Sequence, residues 1–414
     1  MPSFSKQKGY KNNSLKVYIR TFGCQMNVRD SEVIAGLLTK EGFRLASDES
    51  EADVVVYNTC SVRKHAEDKV WSELGKFKVK GPSQSLRANP ARKKIIGVIG
   101  CMAQYYKDEV FRRAPQVDFV VGPSDIAGIP QIIEKIMNAR RNATEGSPER
   151  SRRTRGALLF ESKIWETEGS IRPEEIYHTG FYEEKNHAYV VISEGCSNYC
   201  CYCVVPFVRG ELKNRNHRDI IREIEEAVNK GITNITLLGQ NVNAYQYDSA
   251  DFVRLLELVN NVRGLERFSF ITSHPKDVPA GLFKAMAGLE KIKKYLHLPV
   301  QSGSDRMLRL MNRGYTRGFY RDLIRDYRNA VKGGVLTTDV IVGFPGETEE
   351  DFQDTYNLVK EAEFDSAYIF KYSPRPHTKA EGLPDDVPRK EKERRHGLVL
   401  NLQKEISRRK RLND

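Results

Sequence analysis

Seven cysteines carry most of the chemical information in this 414-residue chain, and six of them fall into two sets of three. Cys196, Cys200 and Cys203 stand at the spacing C-x3-C-x2-C within the stretch GCSNYCCYCVVPFVR. A cubane iron–sulfur cluster has four irons, each normally held by one thiolate. Three clustered thiolates therefore hold three irons and leave the fourth open to another ligand. Zinc is the alternative, and it would need a fourth protein ligand, for which His217 is the nearest histidine. Paired C-x2-C knuckles, the expected zinc signature, are absent. Cys201 lies between two of these cysteines, cannot share its neighbours' direction, and reads as a bystander thiol.

The second set is dispersed in sequence. Cys24 follows the run KVYIRTFG, Cys60 closes ADVVVYNTC and Cys101 closes KKIIGVIGC. These runs and VDFVVG (residues 117–122) have the composition of strands. Carboxyl ends of parallel strands gather on one edge of a sheet, where ligands bind. The position of Cys24, Cys60 and Cys101 at three successive strand ends predicts that they meet in space. Three small buried hydrophobes would be the other reading.

The elements that must position these residues follow from the surrounding pattern. YVVISEG precedes Cys196, and Ile220, Ile221, Ile224, Ala227 and Val228 recur after it at helical spacing. The cysteine loop thus follows a strand and precedes a helix, where parallel α/β folds place their chemistry. NITLLGQ, RFSFITS, YLHLPVQ, TTDVIVGF and DSAYIFKYS continue the rhythm. The fold class is α/β, with an open parallel sheet over residues 16–140 and six strand–helix units over 187–390. Residues 1–15 read as a disordered tail, 141–186 as a basic linker and 391–414 as a basic helix in which Leu398, Leu402 and Ile406 lie one turn apart. Arg150, Arg152, Arg153 and Arg155 of the linker read either as phosphate contacts or as solvated charge.

Three groups of polar residues stand at the ends of predicted strands. Gly239, Gln240 and Asn241 form one, with a helix-capping turn as the alternative. Gln301, Ser302 and Ser304 form the second, and Asp305 begins a helix. Gly343, Gly346, Glu347 and Thr348 form the third, where glycine permits close backbone approach.

Hydrophobic residues make up 39% and charged residues 29%, ordinary values for a soluble protein. No apolar run is long enough to cross a bilayer, and the first residues lack a secretory signal. An odd number of cysteines without such a signal favours metal or redox use over a disulfide framework. Lys and Arg total 67 against 55 acidic residues, a net charge of +12, which suggests a polyanionic partner or a merely basic enzyme.

FGCQMN, YNTCSVR, GCMAQ, GCSNYCCYCVVPFVRGE, LLGQNVNAY, LPVQSGSDRMLRLMNRGY, VIVGFPGET and FKYSPRP together resemble the radical S-adenosylmethionine (SAM) methylthiotransferases, from about residue 16 to the end. CQMN and CVVPFVRG resemble the tRNA branch, the MiaB type. The ribosomal-protein branch would read more like GCPKN and CIIP. The resemblance implies a methylthiotransferase domain followed by a partial (βα)6 radical SAM barrel. It implies two [4Fe–4S] clusters, one on Cys196, Cys200 and Cys203 and an auxiliary one on Cys24, Cys60 and Cys101. It places SAM against Gly239, Gln240, Asn241, Gln301, Ser302, Gly343 and Glu347.

The implied reaction is methylthiolation of N6-isopentenyladenosine beside the anticodon, at tRNA position 37. The first cluster reduces SAM to give a 5′-deoxyadenosyl radical, the second carries the sulfur, and a second SAM is the methyl donor to that sulfur. The partners implied are the tRNA anticodon loop, an external electron donor and a sulfur or cluster delivery protein, around a cytoplasmic monomer with no membrane contact. The alternatives are threonylcarbamoyladenosine in tRNA or a ribosomal-protein aspartate as substrate, and a non-catalytic iron–sulfur RNA-binding protein. The sequence departs from the family at Cys201, at His377 where glycine is common, and at its end, where a TRAM domain would begin.

Overall fold

The computed structural model describes residues 15–61, 64–77, 94–145, 163–167 and 172–413. The expected tail, apart from Leu15, and the arginines at 150, 152, 153 and 155 lie outside the described residues. The chain divides into two compact units, Met1–Glu183 and Glu184–Asp414. Among the described residues no helix is long and apolar enough to cross a membrane.

The first unit is built on apolar runs too continuous for a half-exposed sheet. Val54–Thr59 and Ile95–Gly100 are buried at every position, as strands covered on both faces should be. Six parallel strands result: β1 (Lys16–Phe22), β2 (Arg44–Leu45), β3 (Val54–Thr59), β4 (Ile95–Gly100), β5 (Phe119–Val121) and β6 (Ile164–Glu166), in the order β2-β1-β3-β4-β5-β6. The spacing of Val33, Ile34, Leu37 and Leu38 predicts an apolar helical face, and in the helix Gln25–Lys40 Val33, Ile34 and Leu38 are buried while Leu37 is half-buried.

Two strands lie beyond the four expected, and one corrects the linker. β6 falls inside residues 141–186 and pairs with β5. The following segment is anchored by Arg172, which pairs with Asp30 at 2.7 Å with both side chains almost fully buried. Three residues reading Ile-Trp-Glu carry too little periodicity to announce a strand, so only the pairing with β5 reveals it.

The second unit holds the six further strands expected, here β7 (His187–Val191), β10 (Asn234–Leu238), β13 (Arg267–Phe270), β14 (Tyr295–His297), β15 (Val335–Val342) and β16 (Ser366–Lys371). Two short hairpins complete the strand count, β8 (Ser193–Glu194) with β9 (Lys213–Asn214) and β11 (Gln246–Tyr247) with β12 (Ala250–Asp251). The parallel strands form two sheets, β13-β10-β7 and β14-β15-β16. A parallel bridge from Phe268 to Ile292 links β13 to the approach to β14. The last helix, Arg389–Asn413, buries Val399, Leu402 and Ile406, whereas Leu398 is 41% exposed. Leu402 and Ile406 thus share the buried face, on which Val399 stands in place of Leu398. His377 has φ +64, a left-handed conformation that explains why glycine suits this position.

The helix Glu349–Ala362 starts with a reciprocal cap between Thr348 and Asp351. Asp351 also accepts from Ser304 Oγ at 2.5 Å and pairs with Arg306. Burial works to raise its pKa, but Arg306, Ser304 and Thr348 together hold it down at about 2. A depressed carboxylate pKa contributes stability above the unfolded value, which is lost as pH falls through the folded one. Acid titration from about pH 4 to 2 should therefore destabilise this unit. Asp351→Asn should flatten that part of the melting-temperature profile, and an unchanged profile would count against this role.

Candidate functional site

The cysteine loop of the second unit is held from several strand ends. Gly195 adopts φ +73, and a side chain there would come within 2.1 Å of Glu211 O. Its N–H donates to Gln240 Oε1 at 2.5 Å, and Cys196 N donates to Gly210 O at 3.1 Å. Cys203 N closes a tight turn onto Cys200 O at 2.9 Å. Asp277 accepts from both Asn198 (2.9 Å) and Asn241 (2.7 Å), tying the end of β10 to the loop. Asn312 donates to the carbonyls of Asn198 and Tyr199.

Burial pushes the Cys203 thiol up to about 12 and raises Cys196 as well. Cys200 is contacted by two residues that sequence reasoning missed. Arg313 Nη1 lies 3.3 Å from its Sγ, and His274 Nε2 lies 3.9 Å away. Both stand in quoted or adjoining motifs, NRGY and ITSHPKD, but nothing local in sequence aims them at a thiol. Cys201 is held differently. Its N–H donates to Met311 O, its carbonyl accepts from Ala380 N, and its side chain packs on the cluster of Met307, Met311, Phe344, Tyr372 and Ala380.

In the first unit the register aligns Phe22, Thr59 and Gly100 across β1, β3 and β4. Cys60 and Cys101 follow these positions at once and Cys24 after Gly23, and the three meet on one edge of the sheet. The Cys60 thiol is within hydrogen-bonding reach of both Cys101 and Cys24, and these neighbours, with burial, raise its pKa well above the ordinary thiol value. Two carboxamides brace the set. Cys24 Sγ donates to Asn27 Oδ1 at 3.2 Å, Asn27 Nδ2 donates to Asn58 Oδ1 at 2.8 Å, and Asn58 Nδ2 returns to Asn27 O at 2.8 Å. Both asparagines are fully buried. They are the Asn of CQMN and of YNTC, so those motifs combine a thiol with its brace. Gly100, at φ +86, leaves room for this network, since a Cβ there would come within 2.4 Å of Asn58 Oδ1.

The remaining predicted residues divide into two groups. Gln240 and Asn241 lie at the end of β10, and Gln301, at φ +70, bridges to Val340. Gly239 packs so closely that a Cβ would come within 2.3 Å of Ser193 Oγ. Ser302, by contrast, is turned inward to Thr355 Oγ1 at 3.1 Å. Glu347 Oε2 accepts from Gly343 N at 2.7 Å and from Arg395 at 2.6 Å. Ser302 and Glu347 thus brace the backbone around the site.

Among the described residues no group of three or more His, Cys, Asp or Glu side chains is arranged to hold a single metal ion. His217, the fourth ligand zinc would require, sets its ring edge-on to Tyr247. What each set offers is three thiols, a donor set suited to a polynuclear cluster with one open iron. The thiols of Cys60, Cys196 and Cys203 are raised, and coordination to a cationic group would offset that by favouring the thiolate. In the second unit the Oγ of Ser193, Oδ1 of Asn241, Oγ of Ser273 and Oε1 of Glu347 are buried without a hydrogen-bond partner. A polar cofactor at these strand ends would satisfy such groups.

Residues 16–122 match the family described as Uncharacterized protein family UPF0004, and residues 190–359 match the Radical SAM superfamily. The tRNA-2-methylthio-N(6)-dimethylallyladenosine synthase of Prosthecochloris aestuarii is 43% identical over 395 residues, 95% of this chain and 83% of its own length. The synthase of the same name from Chromobacterium violaceum is 44% identical over 388 residues, 92% of this chain and 81% of its own. Among solved structures, the radical SAM methyltransferase TsrM from Kitasatospora setae covers 89% of this chain and 77% of its own at a TM-score of 0.56 and 14% identity, a likeness of fold. Two family domains in this order, with such identity along nearly the whole chain, show that it belongs to the radical SAM tRNA methylthiotransferases, the family of the tRNA-2-methylthio-N(6)-dimethylallyladenosine synthases.

Proposed function

We propose that the protein converts N6-isopentenyladenosine in the anticodon loop of tRNA to its 2-methylthio derivative. The observation that carries this reading is the presence of two three-thiol sets, each at the carboxyl edge of a parallel sheet. Cys196, Cys200 and Cys203 would hold the [4Fe–4S] cluster that binds SAM, and Cys24, Cys60 and Cys101 a second cluster. When bound, these groups supply the one-electron chemistry and the sulfur that an unactivated aromatic C–H bond requires.

The chain's own contribution is position. Gln240 fixes Gly195 and so the start of the cysteine loop, and Asp277 joins that loop to Asn241. Gln240, Asn241 and Gln301 would border the cofactor directly. Gly239 and Gly343 admit it by close approach, while Ser302 and Glu347 hold the backbone that does so. Asn27 and Asn58 keep the three thiols of the first unit together. The net charge of +12 supports a phosphate-rich substrate, whose unpaired loop bases can be splayed out for recognition. The reading also requires an external electron donor and a protein that delivers sulfur or clusters.

The test is mass spectrometry of nucleosides from isopentenylated tRNA incubated with reconstituted protein, SAM and a reductant. A gain of one methylthio group on the modified adenosine is expected. Its absence, with both clusters loaded, would refute the reading. Cys201→Ala should leave iron content and SAM cleavage largely intact, whereas Cys200→Ala should abolish both in the second unit. Measuring iron and 5′-deoxyadenosine in the two variants separates ligand from bystander.

A further inference from the structure

Arg313 is an unusual residue to find buried, at 4% exposure, in the loop whose Asn312 also holds the cysteine loop. It follows the helix Asp305–Leu310 and is directed inward by Arg313 N donating to Leu308 O at 2.9 Å. Its guanidinium donors are distributed over a closed set of acceptors. Nε donates to Tyr315 OH at 3.0 Å and Nη2 to Pro299 O at 2.8 Å. Nη1 is shared between Tyr202 OH and Cys200 Sγ, each at 3.3 Å. A guanidinium keeps its proton in proteins, so this buried group is a cation.

His274 approaches the same sulfur from another strand end. Its Nδ1 accepts from Lys276 N at 3.2 Å, which leaves the ring proton on Nε2, 3.9 Å from Cys200 Sγ. Tyr315 stacks between the two, edge-on to His274 at 5.7 Å and beneath Arg313 at 5.3 Å. Arg313 therefore brings a fixed positive charge and an N–H donor to Cys200, and His274 adds a second N–H donor.

We infer that Arg313, supported by His274, is a positioning residue that raises the reduction potential of the cluster held by Cys196, Cys200 and Cys203. The inference rests on the cluster assignment proposed above. Reduction adds one electron from an external donor and neither makes nor breaks a bond. The reduced cluster carries one more negative charge, so a cation and N–H···S bonds at one ligand stabilise it more than the oxidised form. In a dry pocket that difference is not screened away. The effect would ease the electron transfer that precedes SAM cleavage.

The test is an EPR-monitored redox titration, with dithionite as reductant, in the Cys24→Ala/Cys60→Ala/Cys101→Ala background so that one cluster reports. Arg313→Gln is expected to lower the ratio of reduced to oxidised cluster at a fixed poise by about tenfold, or about 59 mV for one electron. Arg313→Lys, which keeps the charge but not the fork, should lose less, and His274→Leu should shift the potential in the same direction by a smaller amount. A structural role alone would not move the potential in this graded way. Unchanged potentials in Arg313→Lys and His274→Leu would overturn the inference even if Arg313→Gln failed to load. No cluster signal in the protein with Arg313 intact would instead refute the cluster assignment.

Discussion

With Cys24, Cys60 and Cys101 all replaced by alanine, the protein should still produce 5′-deoxyadenosine from SAM under reducing conditions but form no methylthioadenosine. Iron should fall from about eight to about four per chain, the content of one cubane cluster in place of two. The expectation follows from where the thiols lie. All three belong to the first compact unit, and Cys196, Cys200 and Cys203 belong to the second. Each set has its own braces, Asn27 and Asn58 for one, Gln240, Asp277 and Arg313 for the other. Emptying the first set leaves the contacts of Gln240, Asp277 and Arg313 with the second cysteine loop in place. The measurements are iron content, 5′-deoxyadenosine by liquid chromatography and modified nucleosides by mass spectrometry. If the triple variant still methylthiolated tRNA at the normal rate, the first unit would be a scaffold and its cysteines would have no part in sulfur transfer.

Arg215→Met should destabilise the second unit by about 3–5 kcal/mol, the usual cost of removing one partner of a buried ion pair. Arg215 pairs with Glu223 at 2.5 Å and with Asp219, and no side chain of the three is more than 6% exposed. It also donates to Val191 O at 2.7 Å, at the end of β7. Its backbone N–H donates to Ile192 O, and Tyr245 OH donates to its carbonyl. Removing the guanidinium takes the buried cation away from Glu223, leaves Asp219 to its pair with the largely exposed Arg222, and loosens the exit of the cysteine loop from the sheet. Urea denaturation should show the midpoint falling, with loss of SAM cleavage at temperatures where the original protein is active. Replacing Asp219 and Glu223 by leucine in the same variant should recover much of the stability, because the cost lies in the unpaired charges. A loss below about 1 kcal/mol in the single variant would mean that water reaches the carboxylates, and the burial argument would fail.

The strands that position both cysteine sets were legible because buried parallel strands announce themselves. Val54–Thr59 and Ile95–Gly100 could hardly be anything else, and a cysteine at each carboxyl end follows from the same lines of sequence. The C-x3-C-x2-C loop was legible for a similar reason, since the donor count and spacing are local. β6 was not, because three residues of mixed character become a strand only through pairing with Phe119–Val121. Leu398 was misplaced on the buried face by one residue, a choice that packing against β16 decides.

The sequence by itself determined which residue types could do chemistry, and it brought Cys24, Cys60 and Cys101 together by topology alone. The tertiary structure decided what surrounds them. Ser302 is held by Thr355 and Glu347 Oε2 by Arg395, each about fifty residues away in sequence, so both brace the fold while Glu347 keeps Oε1 without a hydrogen-bond partner. Arg313 is 113 residues from Cys200, and His274 is 74 away. No periodicity or spacing encodes such contacts, because a folded chain places charges by packing, and the charge beside a thiolate is a property of the pocket.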